Sequence, residues 1–199
     1  MAAERARGGR RVRVIGGAWR GRQLGFEAVA GLRPTGDRVR EQLFNWLQGE
    51  LHGAHCLDLF AGSGALGIEA ASRGAAHVTL VDRHPRVVRT LGTSTAALAG
   101  EQAEATFSCH CADAGAFLAA HAGPWHLVFL DPPFDEPASA ALLAAVDARV
   151  APGGWVYHEQ RSGSAAVALP QRWHLHRRGR AGDASYALYC MSASDPAVP

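Results

Sequence analysis

The stretch "CLDLFAGSGALGIEAASRG", Cys56 to Gly74, decides the fold. Cys56 to Phe60 is short, apolar apart from Asp58, and runs straight into glycines, which reads as a buried strand. Gly62-Ser63-Gly64-Ala65-Leu66-Gly67 fits G-x-G-x-x-G, and "ALGIEAASRG" reads as a helix stopped at Gly74. Strand, glycine turn and helix in that order open a βα unit suited to a nucleoside-containing ligand. Glycines let the backbone approach the ligand, and the helix start offers unpaired N–H groups. A tight βα turn with no ligand is the plain alternative.

Working outward, the same alternation continues to the C-terminal side. "HVTLVD" (77–82), "ATFSCHC" (105–111), "HLVFLD" (126–131) and "GGWVYHEQ" (153–160) read as strands. Helical patterns separate them: about Pro85 to Leu98, "AGAFLAAHA" (114–122) and "ALLAAVDARV" (141–150). The ending differs, because "RWHLHRRGRA" and "ASYALYCMS" flank Gly182-Asp183 in the manner of an antiparallel hairpin. The expected fold is therefore α/β: a Rossmann-like three-layer sandwich with a mostly parallel seven-stranded sheet and an antiparallel C-terminal hairpin. Residues 1–50 form an N-terminal basic extension of hairpin and helix, 51–192 the main domain, and 193–199 a tail.

Composition narrows the classes. At 199 residues and 48% hydrophobic, the chain can bury one good core. No apolar run approaches the roughly 18 residues of a membrane helix. "MAAERARGGRRVRVIGG" has charges but no hydrophobic stretch after them, so it does not read as a secretory signal, and a cytoplasmic monomer is expected. Cys56, Cys109, Cys111 and Cys190 form no CxxC pair and read as buried free thiols, with no metal site. Net charge is only +2, yet residues 1–40 hold ten Arg against Glu4, Glu27 and Asp37. That excess points to a polyanionic partner. Residues 1 to 10 read as a solubilising tail, whereas "RVRVIGGAWRGRQLGF" reads as a short hairpin with a Gly-Gly turn, carrying Arg20 and Arg22 toward the polyanion.

The acids at the strand ends carry the chemistry. Asp82 closes a strand 20 residues after Gly62, where a carboxylate can take both hydroxyls of a ribose. NAD and S-adenosylmethionine both satisfy that pattern. Asp58 favours the second, since a carboxylate before the glycine loop repels a pyrophosphate but suits a cationic methionine end. Asp113 is placed to accept from an adenine amino group or to cap the next helix, and the two roles are compatible. In "VFLDPPFDEP", Val128 to Pro137, an acid, two prolines and an aromatic end the fourth strand. Proline donates no hydrogen bond and stiffens the residue before it. The Asp131 carboxylate and the Pro132 carbonyl can each accept one hydrogen of an exocyclic amine, leaving its lone pair aimed at a methyl donor. Phe134 offers a ring for the base to stack on. The competing reading is a turn acid and a core phenylalanine.

These motifs resemble a known family. "DPPF" is similar to the [DN]-PP-[FY] signature of amino-group methyltransferases. "RVIGGAWRGRQL", "LRPTGDRVREQLFNWL" and the glycine loop together resemble the RsmD family, bacterial methyltransferases of small-subunit ribosomal RNA. The resemblance covers roughly residues 11 to 190. It implies S-adenosylmethionine as cofactor, no metal, and transfer to guanine N2 of 16S rRNA, at guanine 966 in the family, in an assembled or partly assembled small subunit. It implies cofactor contacts at Asp58, Phe60, Gly62, Ser63, Gly64, Asp82, Arg83, Asp113 and Ala114, and catalysis at Asp131, Pro132, Pro133 and Phe134. Arg33, Thr35, Arg38 and Arg40 fall in a segment near the active site and join Arg20 and Arg22 as expected RNA contacts.

Read from its own residues, that segment is a helix with Val39, Leu43, Phe44 and Leu47 as an apolar core stripe. Thr35 or Asp37 is its cap, and Arg38 and Arg40 meet phosphate or pair with Glu41. His158 and His174 sit in strands and read as structural. A DNA adenine-N6 methyltransferase shares the "DPPF" logic but needs a recognition domain for which there is no room. A protein glutamine methyltransferase gains nothing from the arginines. A non-enzymatic ribosome-assembly factor, or an NAD dehydrogenase, leaves "DPPF" without purpose.

Overall fold

The computed structural model describes residues 10–26, 36–99, 105–165 and 167–192. After the hairpin β1 (Arg10–Arg13) and β2 (Gln23–Phe26) comes helix α1 (Asp37–Trp46). The βα alternation then runs β3 (His55–Asp58), α2 (Ala65–Ser72), β4 (His77–Asp82), α3 (Pro85–Ala99), β5 (Thr106–Cys111), α4 (Ala114–Ala120), β6 (Trp125–Leu130), α5 (Ala140–Asp147) and β7 (Val150–Arg161). A final hairpin of β8 (Trp173–Ala181) and β9 (Ala184–Met191) completes it.

One sheet holds seven strands in the order β5-β4-β3-β6-β7-β9-β8. Strands β3 to β7 are parallel, and β9 enters antiparallel between β7 and β8. Strand alternation sends successive side chains to opposite faces, and both faces are apolar because both are covered. Cys56, Leu80, Leu127, Phe129 and Tyr157 enter one core; Leu57, Val81, Val128, Leu130 and Val156 enter the other. The two-residue turn at Gly182-Asp183 is as expected, with Gly182 at φ 56° and Ala181 paired to Ala184.

The N-terminal extension shares a core with this body. Val12, Val14, Trp19, Leu24 and Phe26 join Val39, Leu43, Phe44 and Leu47 in the first core, and Phe44 meets Phe129 at 6.0 Å between ring centroids. Burying each large apolar side chain contributes about 1.5–3 kcal/mol, enough to hold the hairpin down. The reversal is longer than a Gly-Gly turn. The Ile15 and Gly16 amides donate 2.7 Å bonds to the Glu69 carboxylate instead of pairing across the hairpin. Gly17, at φ +76°, lies so close to the Ser72 carbonyl that a Cβ would stand 1.8 Å from it. Helix α1 begins after Gly36 with no side-chain cap; Asp37 is its first residue, and Thr35 lies outside the described residues.

Two expectations are corrected. Arg40 is not a surface cation: it is 1% exposed, beneath the hairpin, and bonds the Arg13 carbonyl at 2.9 Å and Asp37 at 2.7 Å. Of the four free thiols, only Cys56 is buried; Cys190 is half-buried on β9, and on the edge strand β5 Cys109 is half-buried and Cys111 exposed. His158 is buried, and burial pushes its pKa down to about 4, while exposed His174 bonds Ser192. No helix of the described residues is long and apolar enough to cross a membrane.

Candidate active site

The site is built where β3, β4, β5 and β6 end. Asp58, the last residue of β3, is 1% exposed. Its Oδ2 accepts the Gly67 amide at 3.1 Å, while Oδ1 has no hydrogen-bond partner among the described residues. Burial raises its pKa to about 7, against the pull of the Gly67 and Phe60 amides. A buried carboxylate oxygen without a donor is costly unless a cation or donor arrives. Gly67 makes the contact possible, since a Cβ there would stand 2.4 Å from Leu80.

Asp82, ending β4, holds the glycine loop. Its Oδ2 accepts the Gly62 amide at 3.0 Å, and Oδ1 accepts the His84 amide at 2.8 Å. The His84 Nδ1 also lies 3.1 Å from Oδ1, so the acceptor capacity left for a ligand is on Oδ2. Ser63 is buried and Phe60 half-buried in the same loop, with Gly62 and Gly64 both at positive φ. Arg83 turns away from the glycine loop and forks onto Glu136, at 2.5 and 3.0 Å, tying the end of β4 to the segment after Phe134. Glu136 was not foreseen, and its only sequence signal is its place just past the double proline. Asp113 caps α4: its Oδ1 accepts from Gly115 at 2.8 Å and Ala116 at 3.3 Å, with Ala114 buried as the first helical residue.

Asp131 follows the last residue of β6. Since Asp58 pairs with Phe129 across β3 and β6, the two acids are two residues out of register, roughly 7 Å along the strand. Pro132 is buried, and Pro133 and Phe134 are half-buried. The Pro133 carbonyl is tied into a turn by the Glu136 amide at 2.9 Å, and the Arg161 guanidinium lies 5.7 Å above the Phe134 ring. On the neighbouring strand, the buried Tyr157 hydroxyl donates to Glu159 Oε2 at 2.6 Å. Burial, then the Glu159 and Asp131 carboxylates, hold the Tyr157 phenol well above its usual pKa. Sequence reading passed over this pair because "WVYHEQ" looks like an ordinary strand.

The arginines divide. Arg38 is exposed at the start of α1, whereas Arg40 is buried. Arg20 and Arg22 are exposed on a loop whose Ala18 and Trp19 amides bond Ser72, at the C-terminal end of α2. Helix α2 starts at the glycine loop, so its length of about 12 Å separates this loop from the glycine loop. Arg33 lies outside the described residues.

This sheet order, with an acid-ended β3, a glycine loop and Asp-Pro-Pro-Phe at the tip of β6, is the arrangement of the Rossmann-like methyltransferases. The family described as Conserved hypothetical protein 95 matches residues 12–190. Ribosomal RNA small subunit methyltransferase D of Escherichia coli (strain K12) is 42% identical over 188 residues, covering 92% of this chain and 91% of that protein. The protein of the same name from Haemophilus influenzae is 40% identical over 184 residues, covering 89% and 93%. The solved structure of yhhF from Escherichia coli has a TM-score of 0.80 at 40% identity, covering 92% of this chain and 99% of that one. The chain belongs to the RsmD family of ribosomal RNA methyltransferases.

Proposed function

We propose that this protein transfers a methyl group from S-adenosylmethionine to the exocyclic N2 of a guanine in 16S rRNA, at the family's guanine 966, in an assembled or partly assembled small subunit. The observation that carries the reading is the placement of Asp131-Pro132-Pro133-Phe134 at the tip of β6, beside the buried, half-partnered Asp58. The unpaired Asp58 Oδ1 fits a cationic amino-acid end, and the braced Asp82 fits a ribose. Asp58, Phe60, Gly62, Ser63, Gly64, Asp82, Asp113 and Ala114 would hold the cofactor, with Arg83 framing the cleft through Glu136. S-adenosylmethionine, when bound, supplies an electrophilic sulfonium methyl.

The chain's own work is positioning. A ring-conjugated amine is a poor nucleophile because its lone pair is delocalised. The Asp131 carboxylate and the Pro132 carbonyl accept its two hydrogens and hold the lone pair along one line. Stiff prolines keep that geometry at little entropic cost, since their φ is already fixed. Phe134 stacks on the base, with the Arg161 guanidinium over the same ring. Labelled S-adenosylmethionine offered with small-subunit particles, naked 16S rRNA, DNA and protein tests the reading. Label on guanine N2 of the rRNA supports it; label on DNA adenine or on protein glutamine would overturn it.

A further inference from the structure

Beyond β7 the sheet carries two more strands, and their turn returns to the catalytic edge. Strand β8 pairs antiparallel with β9, and β9 antiparallel with β7, so β8 points the same way as β6 and β7. Gly182, at the hairpin tip, therefore stands at the edge that carries Asp131. A groove of about 450 Å³ opens there between α1 and the hairpin, lined by Arg38, Gln42, Gly179, Arg180, Gly182 and Tyr186. It continues along α1 into a second hollow of about 330 Å³ beside Asn45 and Trp46.

The walls are fixed while the charges are available. The Tyr186 hydroxyl donates to Gln42 Oε1 at 2.6 Å, joining β9 to α1. The ring lies across Gly179, where any Cβ would stand 2.6 Å from it, so glycine alone permits this wall. Arg38 on one side and Arg180 on the other are exposed, and neither forms an ion pair among the described residues. Two guanidinium forks facing one groove match a phosphodiester, which accepts two parallel N–H bonds from each fork. Tyr186 pairs in register with Glu159, and β9 lies two strands from β6, roughly 10 Å at the usual strand spacing. That distance is on the scale of a neighbouring nucleotide.

We propose that this groove binds the phosphates of single-stranded RNA flanking the target base, with Arg38 and Arg180 as opposed forks. The proposal rests on the RNA methyltransferase reading and assigns the local phosphate contacts to Arg180, which neither a motif nor the N-terminal charge excess had indicated. Phosphate contacts set register without reading sequence, so the groove would align the strand while the pocket chooses the base. Arg20 and Arg22 sit instead on the loop at the far end of α2.

The test is RNA affinity across a salt series, using a short single-stranded RNA oligonucleotide centred on a guanine of the 16S target region. Wild type is compared with Arg38→Gln, Arg180→Gln and the double variant. S-adenosylmethionine affinity, measured by calorimetry, reports that each variant is folded. The double variant is expected to lower the salt slope by about 1.4–1.8 units, two contacts at roughly 0.7–0.9 each, and to weaken binding at least about tenfold. An unchanged slope and affinity in a folded double variant would overturn the groove. Methyl transfer by wild type to the same RNA is scored separately: binding that depends on the two arginines without any methylation would retain the groove and remove the proposed reaction.

Discussion

Arg40 and Glu69 are buried together beneath the N-terminal hairpin, guanidinium Nη1 3.6 Å from carboxylate Oε2, at 1% and 0% side-chain exposure. The same carboxylate takes the Ile15 and Gly16 amides and the Arg73 guanidinium, at 2.8 Å for the last. One acid thus joins the hairpin, α1 and α2. Removing it takes one of two carboxylate partners from the buried Arg40 guanidinium and leaves two amides without their acceptor.

Glu69→Ala is therefore expected to destabilise the fold by about 3–5 kcal/mol, the usual cost of breaking a buried pair from one side. Arg40→Gln is expected to lose stability too, with the salt slope of RNA binding unchanged. Denaturant unfolding read beside an RNA salt titration checks both; a stable Arg40→Gln with a reduced slope would return Arg40 to the RNA surface.

If Asp58 holds the cofactor as proposed, binding is expected to depend on pH. Its pKa is raised to about 7 in the folded protein and is near 4 when unfolded, so the folded state holds an extra proton between those values. Its stability contribution is greatest below about pH 4 and is lost as pH rises through 7. A cationic ligand beside Oδ1 favours the ionised form, so S-adenosylmethionine affinity is expected to rise from pH 6 to 8 with proton release below 7. Calorimetry in buffers of different ionisation enthalpy reads that proton. Asp58→Asn is expected to abolish the release, and a pH-independent wild type would remove the cationic end from Asp58.

Asp82→Ala removes the expected ribose acceptor and also the brace on Gly62. We expect S-adenosylmethionine to bind about tenfold or more weakly, since charged hydrogen bonds contribute roughly 1.5–3 kcal/mol each. Equal affinity in a folded variant would take Asp82 out of the cofactor site.

Much of the fold is legible in the sequence. The seven-stranded sheet follows from βα alternation, which is written locally in apolar runs and glycine stops, and "DPPF" falls at a strand tip for the same local reason. The Glu69 hub was not readable. In "ALGIEAAS" it looks like a solvent-facing helix acid, and its backbone partners lie 53 and 54 residues away. Arg40 was misjudged on the same ground, since only the hairpin folding over α1 buries it. The Gln42–Tyr186 bond spans 144 residues, so the groove it walls has no local signature.

The placement of Arg20 and Arg22 leads to a separate expectation. Neutralising both is expected to weaken binding to the small-subunit particle, which is large enough to reach past the far end of α2. It is expected to leave a short oligonucleotide bound as in wild type. Salt series on the two substrates check this, and parallel, coincident lines on the particle would make the pair plain solvated surface.

Asp131→Ala tests the central claim most directly. Single-turnover methyl transfer to small-subunit particles is measured for wild type and variant, with S-adenosylmethionine affinity measured in parallel. On the proposed reading the carboxylate would act on the amine in the transition state and contribute little to holding the cofactor. The account predicts near-normal cofactor affinity and a rate lower by several orders of magnitude. A fall of less than about tenfold, roughly 1.4 kcal/mol of barrier, would contradict it.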